Sequence, residues 1–412
     1  MTKVLIVGAG IGGLTLALML HKRGIGSTVV EQAHEVREVG VGINTLPHSI
    51  AELAELDLLD RLDAVGLRTK TLKYLTLHGQ EVWRELRGIH AGHDHPQFSI
   101  HRGRLQRVLY DAVIERLGPE AVQTGLNFQG FVQDEAGVTA QFTDSVDGST
   151  SRSFRSEILV SADGIHSVGR RAFYRDEGPA KWQGVVMWRG AVDWPVWEDG
   201  ETMAIAGGLS GKFVLYPIAP IKDGKQLMNW VVNVRVADGE KTSPQRESWS
   251  KKAPLSKVLP FAERFHIPGI DLAALVRASR DNIFEYPMAD RDPLPRWTFG
   301  RVTLLGDAAH PMYPVGSNGS AQAILDARCL SDQLVRAGHP REALYRYEQE
   351  RLPKTSEVVR LNRIGGPERV IDEVEKLSPT KFDNIDDVLS YEERKAIVRG
   401  YATKAGYGTK KN

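Results

Sequence analysis

The apolar residues of this chain fall into short runs, several of which are followed at once by glycine. Residues 3–7, 157–162 and 301–305 are mainly apolar, which is typical of buried strands. The sequence predicts helices over residues 12–23 and 49–62, over 101–117, and from about 318 to 337. Buried strands that alternate with helices predict an α/β fold.

The first glycine-rich segment has the spacing of a nucleotide-binding turn. Gly8 allows the tight turn, Gly10 lets the backbone approach a pyrophosphate, and Gly13 lets the next helix pack close to the first strand. That helix offers free N–H groups and a positive dipole end to the phosphates. A second predicted strand, 27–30, ends at Glu31, 18 residues after Gly13, where an acid can bind adenosine ribose hydroxyls. A tight turn in an unrelated α/β protein is the alternative.

Two later motifs stand at the carboxyl ends of predicted strands, where α/β folds bind ligands. The first is Asp163-Gly164, and Arg170 follows on the next helix. The second ends in Asp307, whose carboxylate can accept hydrogen bonds from ribityl hydroxyls. The helix that begins near Asn318 favours negative charge on a reduced flavin ring at its N-terminus. In this order, the three motifs predict FAD held along its whole length.

Two further features fit a large, flat ligand. Gly40 and Gly42 are separated by one residue, which is typical of backbone pressed against a ring, although a plain turn is the alternative. Arg102 opens a predicted helix, where the macrodipole disfavours a cation. Contact with a cofactor phosphate or ribityl oxygens explains this position, and a solvated surface charge is the other interpretation.

Between the flavin motifs lies a region rich in tryptophan and β-branched residues. Segments 185–192, 212–218 and 227–236 predict strands joined by turns. A sheet over one face of a flavin would form an aromatic-lined pocket, whereas for any single tryptophan an ordinary core position is the more frequent outcome.

Three side chains are candidates for contact with a substrate. Arg189 would pair with a carboxylate, although an ion pair at the edge of the core is the alternative. Tyr216 would bond a phenol or a ring nitrogen. His48 is either a base or a residue of the helix surface, and the second interpretation is favoured.

Composition narrows the class of protein. The 53 basic and 52 acidic residues give a net charge of +1, so nothing indicates nucleic acid or an anionic membrane as a partner. The lone Cys329 excludes an internal disulfide and a cysteine-built metal site, and it fits a reducing cytoplasm. No metal-ligand cluster and no G-x-S-x-G nucleophile motif occurs in the sequence.

The order and spacing of the motifs resemble those of the group A flavoprotein monooxygenases, relatives of p-hydroxybenzoate and salicylate hydroxylases, from residue 3 to about residue 365. The sequence is most similar to the phenazine-1-carboxylate hydroxylase branch. The segments that carry this closer similarity are 40–44, 99–103, 187–190, 286–295, 312–319 and 322–326.

The resemblance implies a Rossmann-like (GR2-type) FAD-binding domain, an inserted mixed β-sheet substrate domain and C-terminal helices. The predicted bounds are 1–70, 100–175 and 280–365 for the FAD-binding domain, 71–99 and 176–279 for the substrate domain, and 366–412 for the C-terminal helices and tail. This last segment either caps the pocket or forms a dimer contact.

The resemblance also assigns residues. Those implied to bind the cofactor are Gly8, Gly10, Gly13, Glu31, Gly42, Arg102, Asp163, Gly164, Arg170, Asp307, Gly316, Asn318 and Gly319. The catalytic candidates are Arg189, Tyr216 and Pro314. Two positions depart from the wider family: Asp57 replaces a common glycine, and Gly316-Ser317-Asn318-Gly319 replaces the pattern G-x-G-x-N, a change shared with the phenazine branch.

The implied reaction is hydroxylation of a small aromatic carboxylate or phenol. NADH or NADPH binds transiently and reduces FAD, O₂ adds to give a flavin C4a-hydroperoxide, and one oxygen passes to the ring. Attack at a carboxyl-bearing carbon would also release CO₂, and this oxidative decarboxylation is slightly favoured. A non-oxygenating FAD-dependent reductase and a non-catalytic aromatic-binding flavoprotein are the alternatives. The protein is expected to be a cytoplasmic monomer or homodimer.

Overall fold

The computed structural model describes residues 2–38, 40–148, 151–238, 241–242 and 251–404. Its strands are Thr2–Val7 (β1), Ser27–Val30 (β2), Gly42–Thr45 (β3), Gly66–Arg68 (β4), Thr71–Leu75 (β5), Glu81–Leu86 (β6), Phe98–His101 (β7), Val122–Gln123 (β8), Leu126–Gln133 (β9), Val138–Asp144 (β10), Ser151–Ser161 (β11), Lys181–Pro195 (β12), Thr202–Ala206 (β13), Gly211–Pro217 (β14), Lys225–Arg235 (β15), Lys241–Thr242 (β16), Phe284–Asp290 (β17) and Val302–Leu304 (β18).

Its α-helices are Ile11–Lys22 (α1), Pro47–Glu55 (α2), Leu59–Val65 (α3), Arg102–Leu117 (α4), Val168–Phe173 (α5), Leu255–Ala262 (α6), Leu272–Ala278 (α7), Gly319–Arg336 (α8), Pro340–Arg363 (α9), Arg369–Leu377 (α10), Ile385–Val388 (α11) and Tyr391–Lys404 (α12). Among the described residues, no helix has the length and apolar character that crossing a bilayer requires.

The first sheet is built from the apolar runs that the sequence marks as buried strands. Within the described ranges it has seven strands, in the order β8-β2-β1-β11-β10-β9, with β18 also paired to β11. The strands β8, β2, β1, β11 and β18 run parallel, and β10 and β9 extend the sheet in antiparallel fashion. Helices α1, α4 and α8 pack together beside this sheet. The predicted α/β fold is confirmed.

The second sheet is formed by strands that lie between Thr71–Leu75 and Phe284–Asp290 in the sequence. In the part of the chain that the structure describes, it has eight strands in the order β16-β12-β15-β14-β13-β5-β6, with β17 also paired to β12. It is mixed, because β5 and β13 are parallel while its other pairs are antiparallel. The boundary predicted at residue 280 assigns β17 to the FAD-binding domain, whereas β17 pairs with β12 of this second sheet.

The helix predicted over 49–62 is divided into α2 and α3. Asp57, between them, has φ 56°, a left-handed conformation that an α-helix cannot continue through. The apolar spacing crosses the break because Leu53 and Leu62 both face the same core. The resemblance given above implies a common glycine near this position, and glycine is the residue that adopts positive φ most easily.

The C-terminal helices cover the second sheet. Val370, Ile371 and Val374 of α10 pack with Leu72 and Tyr74 of β5 in one apolar cluster. Pro367 and Glu368, just before this helix, line the cavity described below, and the two roles predicted for the segment stay predictions. The tail predicted from residue 404 to 412 lies, from residue 405 onward, outside the described residues.

Candidate active site

A single cavity of about 960 Å³ runs from the β1–α1 turn to the second sheet. Nearly all of the predicted site residues line it. They are Gly8, Gly10, Gly13, Glu31, Gly42, Arg102, Asp163, Gly164, Asp307, Gly316, Asn318, Gly319, Arg189, Tyr216 and Pro314. The structure thus brings together positions that are up to about three hundred residues apart in the sequence.

The three glycines of the first motif differ in what surrounds them. At Gly8, which has φ +106°, an added Cβ would lie 2.4 Å from the carbonyl oxygen of Ala162. At Gly13 an added Cβ would lie 2.0 Å from the carbonyl oxygen of Gly8. At Gly10 nothing lies within 4 Å of an added Cβ. The first and third glycines therefore serve packing, and the middle one leaves the backbone open toward the cavity.

Glu31 lies beside this turn at the end of β2. Its Oε2 accepts a hydrogen bond from the amide of Ala9 at 2.8 Å, and its Oε1 accepts one from the amide of Ala33 at 2.8 Å. These two bonds fix the carboxylate on the cavity wall, and its remaining lone pairs can accept from two vicinal hydroxyls.

Arg102 and Asp307 place opposite charges near the middle of the cavity. Arg102 opens α4, and burial lowers its pKa against the opposing effect of Asp307. The Asp307 carboxylate is exposed on the cavity wall but enclosed by surrounding protein. This burial raises the pKa of Asp307, while His310 and Arg102 act to lower it. The two groups can serve the phosphate and hydroxyl parts of one extended ligand.

Arg170 is the exception among the predicted cofactor ligands. It does not line the cavity, because its guanidinium is buried, pairs with Glu177, and donates to the carbonyl oxygens of Ala308 (3.2 Å) and Ala309 (2.9 Å). The predicted contact with the cofactor is thereby corrected: Arg170 supports the turn that follows Asp307. Its neighbour Arg171 lines the cavity instead.

The Asp163-Gly164 motif lies where the prediction places it, but the carboxylate of Asp163 is engaged locally. Asp163 accepts hydrogen bonds from the Ser161 hydroxyl and, at 2.7 Å, from the backbone amide of Val168 at the start of α5. Gly164 has φ +78° and open space around a would-be Cβ. The exposed backbone of Gly164 is therefore the part of this motif that a ligand can approach most closely.

The loop before α8 has an irregular backbone. Gly316 has φ 61° and Ser317 has φ 58°, which is uncommon for a residue with a side chain. Pro314 is exposed on the cavity wall, whereas Asn318 is fully buried and donates to the carbonyl oxygen of Gly316 at 3.1 Å. Gly319 begins α8, and the free N–H groups of that helix end face the same cavity.

Arg189 and Tyr216 lie at the other end of the cavity, on β12 and β14. Arg189 is only 3% exposed, and burial together with the cation Arg102 lowers its pKa to about 9. Tyr286 and Tyr216 partly offset that shift. Burial also raises the pKa of Tyr216 well above its ordinary value, so its hydroxyl stays protonated. This end of the cavity offers a cation and a hydroxyl donor within apolar walls.

Two tryptophans of this sheet, Trp188 and Trp230, belong to an apolar cluster away from the cavity. The indole N–H of Trp188 donates to Glu285 and that of Trp230 donates to Ser279, each at 2.9 Å, and neither ring is among the described residues that line the cavity. They pack in an apolar cluster with α6 and α7. The ordinary core position, given above as the more frequent outcome, applies to both.

His48 is not a residue of the helix surface, and that prediction was wrong. The side chain is half-buried, and burial, Arg351 and His93 lower its pKa to about 4. The imidazole is therefore neutral at pH 7. It does not line the cavity as far as the structure describes it, which leaves no support for a role as a base.

Other residues that line the cavity were not predicted from the sequence. Lys212 and Glu368 line the cavity and form a buried ion pair with an Nζ–Oε1 distance of 2.8 Å. Gln106, one turn after Arg102 on α4, donates to the carbonyl oxygen of Ala9 at 2.7 Å. Helical spacing from Arg102 could have identified Gln106. No local signal indicates Glu368, because it lies in a charged and weakly patterned segment.

A buried polar network supports the cavity from behind. Asp326 of α8 binds His310, accepts from the backbone amide of Gly306 at 3.2 Å and pairs with Arg351 at 2.7 Å. Burial acts to raise the pKa of Asp326, but its contacts with His310 and Arg351 outweigh this and lower it. This network fixes the strand-end turn that carries Asp307 relative to α8.

Comparison with known proteins decides the family. The family described as "FAD binding domain" matches residues 1–362. This chain belongs to that FAD-binding domain family. Phenazine 1,6-dicarboxylic acid hydroxylase PhzS of Lysobacter antibioticus is 43% identical over 88% of this chain and 89% of its own length. 3-Hydroxybenzoate 6-hydroxylase 1 of Aquipseudomonas alcaligenes is 30% identical over 87% of each chain.

The fold agrees with this membership. The structure of Klebsiella pneumoniae HpxO complexed with FAD and uric acid has a TM-score of 0.75 to this FAD-binding chain, 22% identity, and coverage of 99% of this chain and 97% of that one. The predicted resemblance to FAD-dependent aromatic hydroxylases is confirmed, as is FAD as the cofactor.

The residues present fit FAD. The open backbone at Gly10 suits a pyrophosphate, the fixed Glu31 carboxylate suits a ribose, and the enclosed Asp307 carboxylate suits hydroxyl donors. The N-terminus of α8 supplies a positive dipole end for the ring. The assignment of individual cofactor contacts to these residues stays a prediction.

Proposed function

We propose that this protein is an NAD(P)H-dependent aromatic hydroxylase that uses FAD to insert one oxygen atom of O₂ into a small aromatic or heteroaromatic carboxylate. Family membership and the relatives that hydroxylate carboxylated aromatics support the reaction class. The observation that carries the substrate class is the buried cation Arg189 at the end of the cavity away from the nucleotide turn.

Bound FAD supplies the redox chemistry and the activation of O₂. The chain itself positions the reactants. Arg189 binds the carboxylate in a medium of low dielectric, where a charge-assisted hydrogen bond is strong. The protonated Tyr216 donates to a hydroxyl or ring nitrogen, and Pro314 shapes the wall between substrate and flavin loop. Apolar walls from Met203 and Ile205 of β13 exclude water, which limits wasteful peroxide release.

Two finer statements belong to this proposal. Oxidative decarboxylation is slightly favoured over simple hydroxylation, as the resemblance to salicylate and phenazine-1-carboxylate hydroxylases implies. The enzyme acts in the cytoplasm as a monomer or homodimer, where NADH or NADPH is available and the lone Cys329 stays reduced. A non-oxygenating reductase or a sequestering flavoprotein would use the same cavity without forming an oxygenated product.

The decisive experiment measures NADH and NADPH oxidation by the FAD-loaded protein with salicylate, hydroxybenzoates, hydroxynicotinates and quinoline and phenazine carboxylates. One compound should stimulate oxidation many-fold and yield a product that gains one oxygen, or gains OH and loses CO₂. Oxidation that no aromatic stimulates and that yields only H₂O₂ would refute the hydroxylase and favour the alternatives.

Replacement of the buried cation tests the substrate class. Arg189→Met should raise KM for the carboxylate substrate roughly 10- to 150-fold, because a hydrogen bond to a charged group contributes about 1.5–3 kcal/mol. Arg235→Met, an exposed arginine of the same sheet, is the matched control and should leave KM unchanged. Equal KM values in the two variants would show that Arg189 does not bind the carboxylate.

A further inference from the structure

The last helix of the described chain, α12, contacts the loop before α8 (residues 313–318) through the side chain of Tyr401. Its hydroxyl accepts a hydrogen bond from Asn318 Nδ2 at 2.8 Å and lies 2.7 Å from Asn362 Oδ1. Its ring lies against Gly316, where an added Cβ would come within 2.4 Å of the hydroxyl oxygen. We propose that Tyr401 is a positioning residue that holds loop 313–318 in the geometry that the flavin ring requires.

The donor and the acceptor of each of these hydrogen bonds can be assigned. The single hydroxyl hydrogen of Tyr401 goes to Asn362 Oδ1 at 2.7 Å, since the other acceptor, the carbonyl oxygen of Val315, is 3.4 Å away. The amide of Asn362 then donates to the carbonyl oxygen of Tyr313 at 2.8 Å. On the other side, Asn318 gives one amide hydrogen to Tyr401 and the other to the carbonyl oxygen of Gly316.

The loop needs such support because its backbone is unfavourable by itself. Gly316 and Ser317 both have positive φ, and strained conformations persist only where the surroundings fix them. Residues 313–318 contain only a short 3-10 turn, and asparagine side chains bond two of its carbonyls, those of Tyr313 and Gly316. Tyr401 and Asn362 together hold the loop at both ends, at Tyr313 and at Asn318.

Burial makes these bonds strong and their loss costly. Tyr401 is 5% exposed, Asn362 is 2% exposed, and Asn318 is fully buried, so water cannot replace a missing partner. The family match ends at residue 362, so Tyr401 brings a segment outside that match into contact with the loop. The C-terminal helices are thus part of the active site as well as a cover for the second sheet.

The inference rests on the proposed function, since it assigns the loop to the flavin ring. The variant Tyr401→Phe tests the inference, because it removes only the hydroxyl oxygen. FAD affinity should fall at least about tenfold, which corresponds to the loss of one buried hydrogen bond. The visible spectrum of the bound flavin should shift, and a larger share of the NAD(P)H consumed should yield H₂O₂. Tyr391→Phe, an exposed tyrosine on the same helix that contacts Trp83, is the matched control and should change none of these.

A second variant separates positioning from mere stability. Asn362→Ser removes the acceptor of the hydroxyl and keeps Tyr401, and it should reproduce the spectral shift and the peroxide yield. The double variant should cost less FAD affinity than the sum of the singles, because both act in one network. If Tyr401→Phe fails to fold, Asn362→Ser alone carries the test.

The possible failures are distinguishable. One outcome would overturn the inference and leave the proposed function intact. In that outcome the wild-type protein binds FAD and hydroxylates an aromatic, and the variants keep its FAD affinity, flavin spectrum and peroxide yield while only their melting temperature falls. A wild-type protein that binds no FAD, or that oxygenates no aromatic, would refute the proposed function itself.

Discussion

Alanine at Gly10 should separate cofactor binding from folding. Gly10 has φ −72° and ψ 178°, an extended conformation that alanine adopts without strain. An added Cβ meets no protein atom within 4 Å. The FAD-free Gly10→Ala protein should therefore be as stable as the wild type, or about 0.4–1 kcal/mol more stable, because alanine reduces the entropy of the unfolded chain.

The same methyl group should severely weaken FAD binding. It occupies the open side of the turn, where the backbone must approach the pyrophosphate closely. Displacement of one phosphate hydrogen bond costs about 1.5–3 kcal/mol, since one partner is charged. The dissociation constant of FAD should rise roughly 10- to 150-fold.

Gly13→Ala should behave in the opposite way. Its Cβ would lie 2.0 Å from the carbonyl oxygen of Gly8, so α1 must move away from the turn, which costs about 1–3 kcal/mol or more in unfolding free energy. Urea denaturation of the FAD-free proteins and FAD titration measure the two effects, and Gly338→Ala, at an open position away from the cavity, is the control. Gly10→Ala protein that binds FAD like the wild type would refute the reasoning.

Two further predictions concern stability. Glu368→Gln leaves Lys212 buried without the carboxylate it pairs with, and it should lower the unfolding free energy measured in urea by about 3–5 kcal/mol. The control Glu342→Gln, which breaks an exposed ion pair, should lower it by less than about 0.5 kcal/mol. Similar losses in the two variants would contradict the role of the buried pair. His48 has a pKa of about 4 when folded and 6.5 as its ordinary value, so the unfolded state binds more protons between these pH values. Stability should fall by up to about 3 kcal/mol as pH drops from 6.5 to 4, and His48→Gln should flatten this dependence; parallel pH profiles would disprove it.

The nucleotide end of the site could be predicted because its signals are local. Gly8, Gly10 and Gly13 lie within six residues, and the strand before them and the helix after them have clear apolar patterns. Backbone conformation and close approach depend on residues near in sequence, so a single segment contains the information. The same holds for Asp307, which directly follows a buried strand.

The remaining contacts depend on tertiary structure. The motif predicts that Arg170 contacts the cofactor. Its guanidinium instead donates hydrogen bonds to the carbonyl oxygens of Ala308 and Ala309 and pairs with the carboxylate of Glu177. Nothing near Tyr401 in the sequence indicates that its hydroxyl meets Asn318, 83 residues away. Such pairings arise from how α12 and α9 pack, which neither apolar spacing nor a motif encodes.

The charges in the cavity connect the two ends of the site. Burial and, next to it, the cation Arg102 lower the pKa of Arg189, so the two cations repel each other within one enclosed space. A fold tolerates this cost where anionic ligands relieve it, because opposite charges at low dielectric interact strongly. FAD phosphates or ribityl oxygens near Arg102 and a substrate carboxylate near Arg189 would relieve both. Binding of FAD should then weaken the electrostatic attraction for the carboxylate, since an anion near Arg102 cancels part of the positive potential that Arg102 and Arg189 create together.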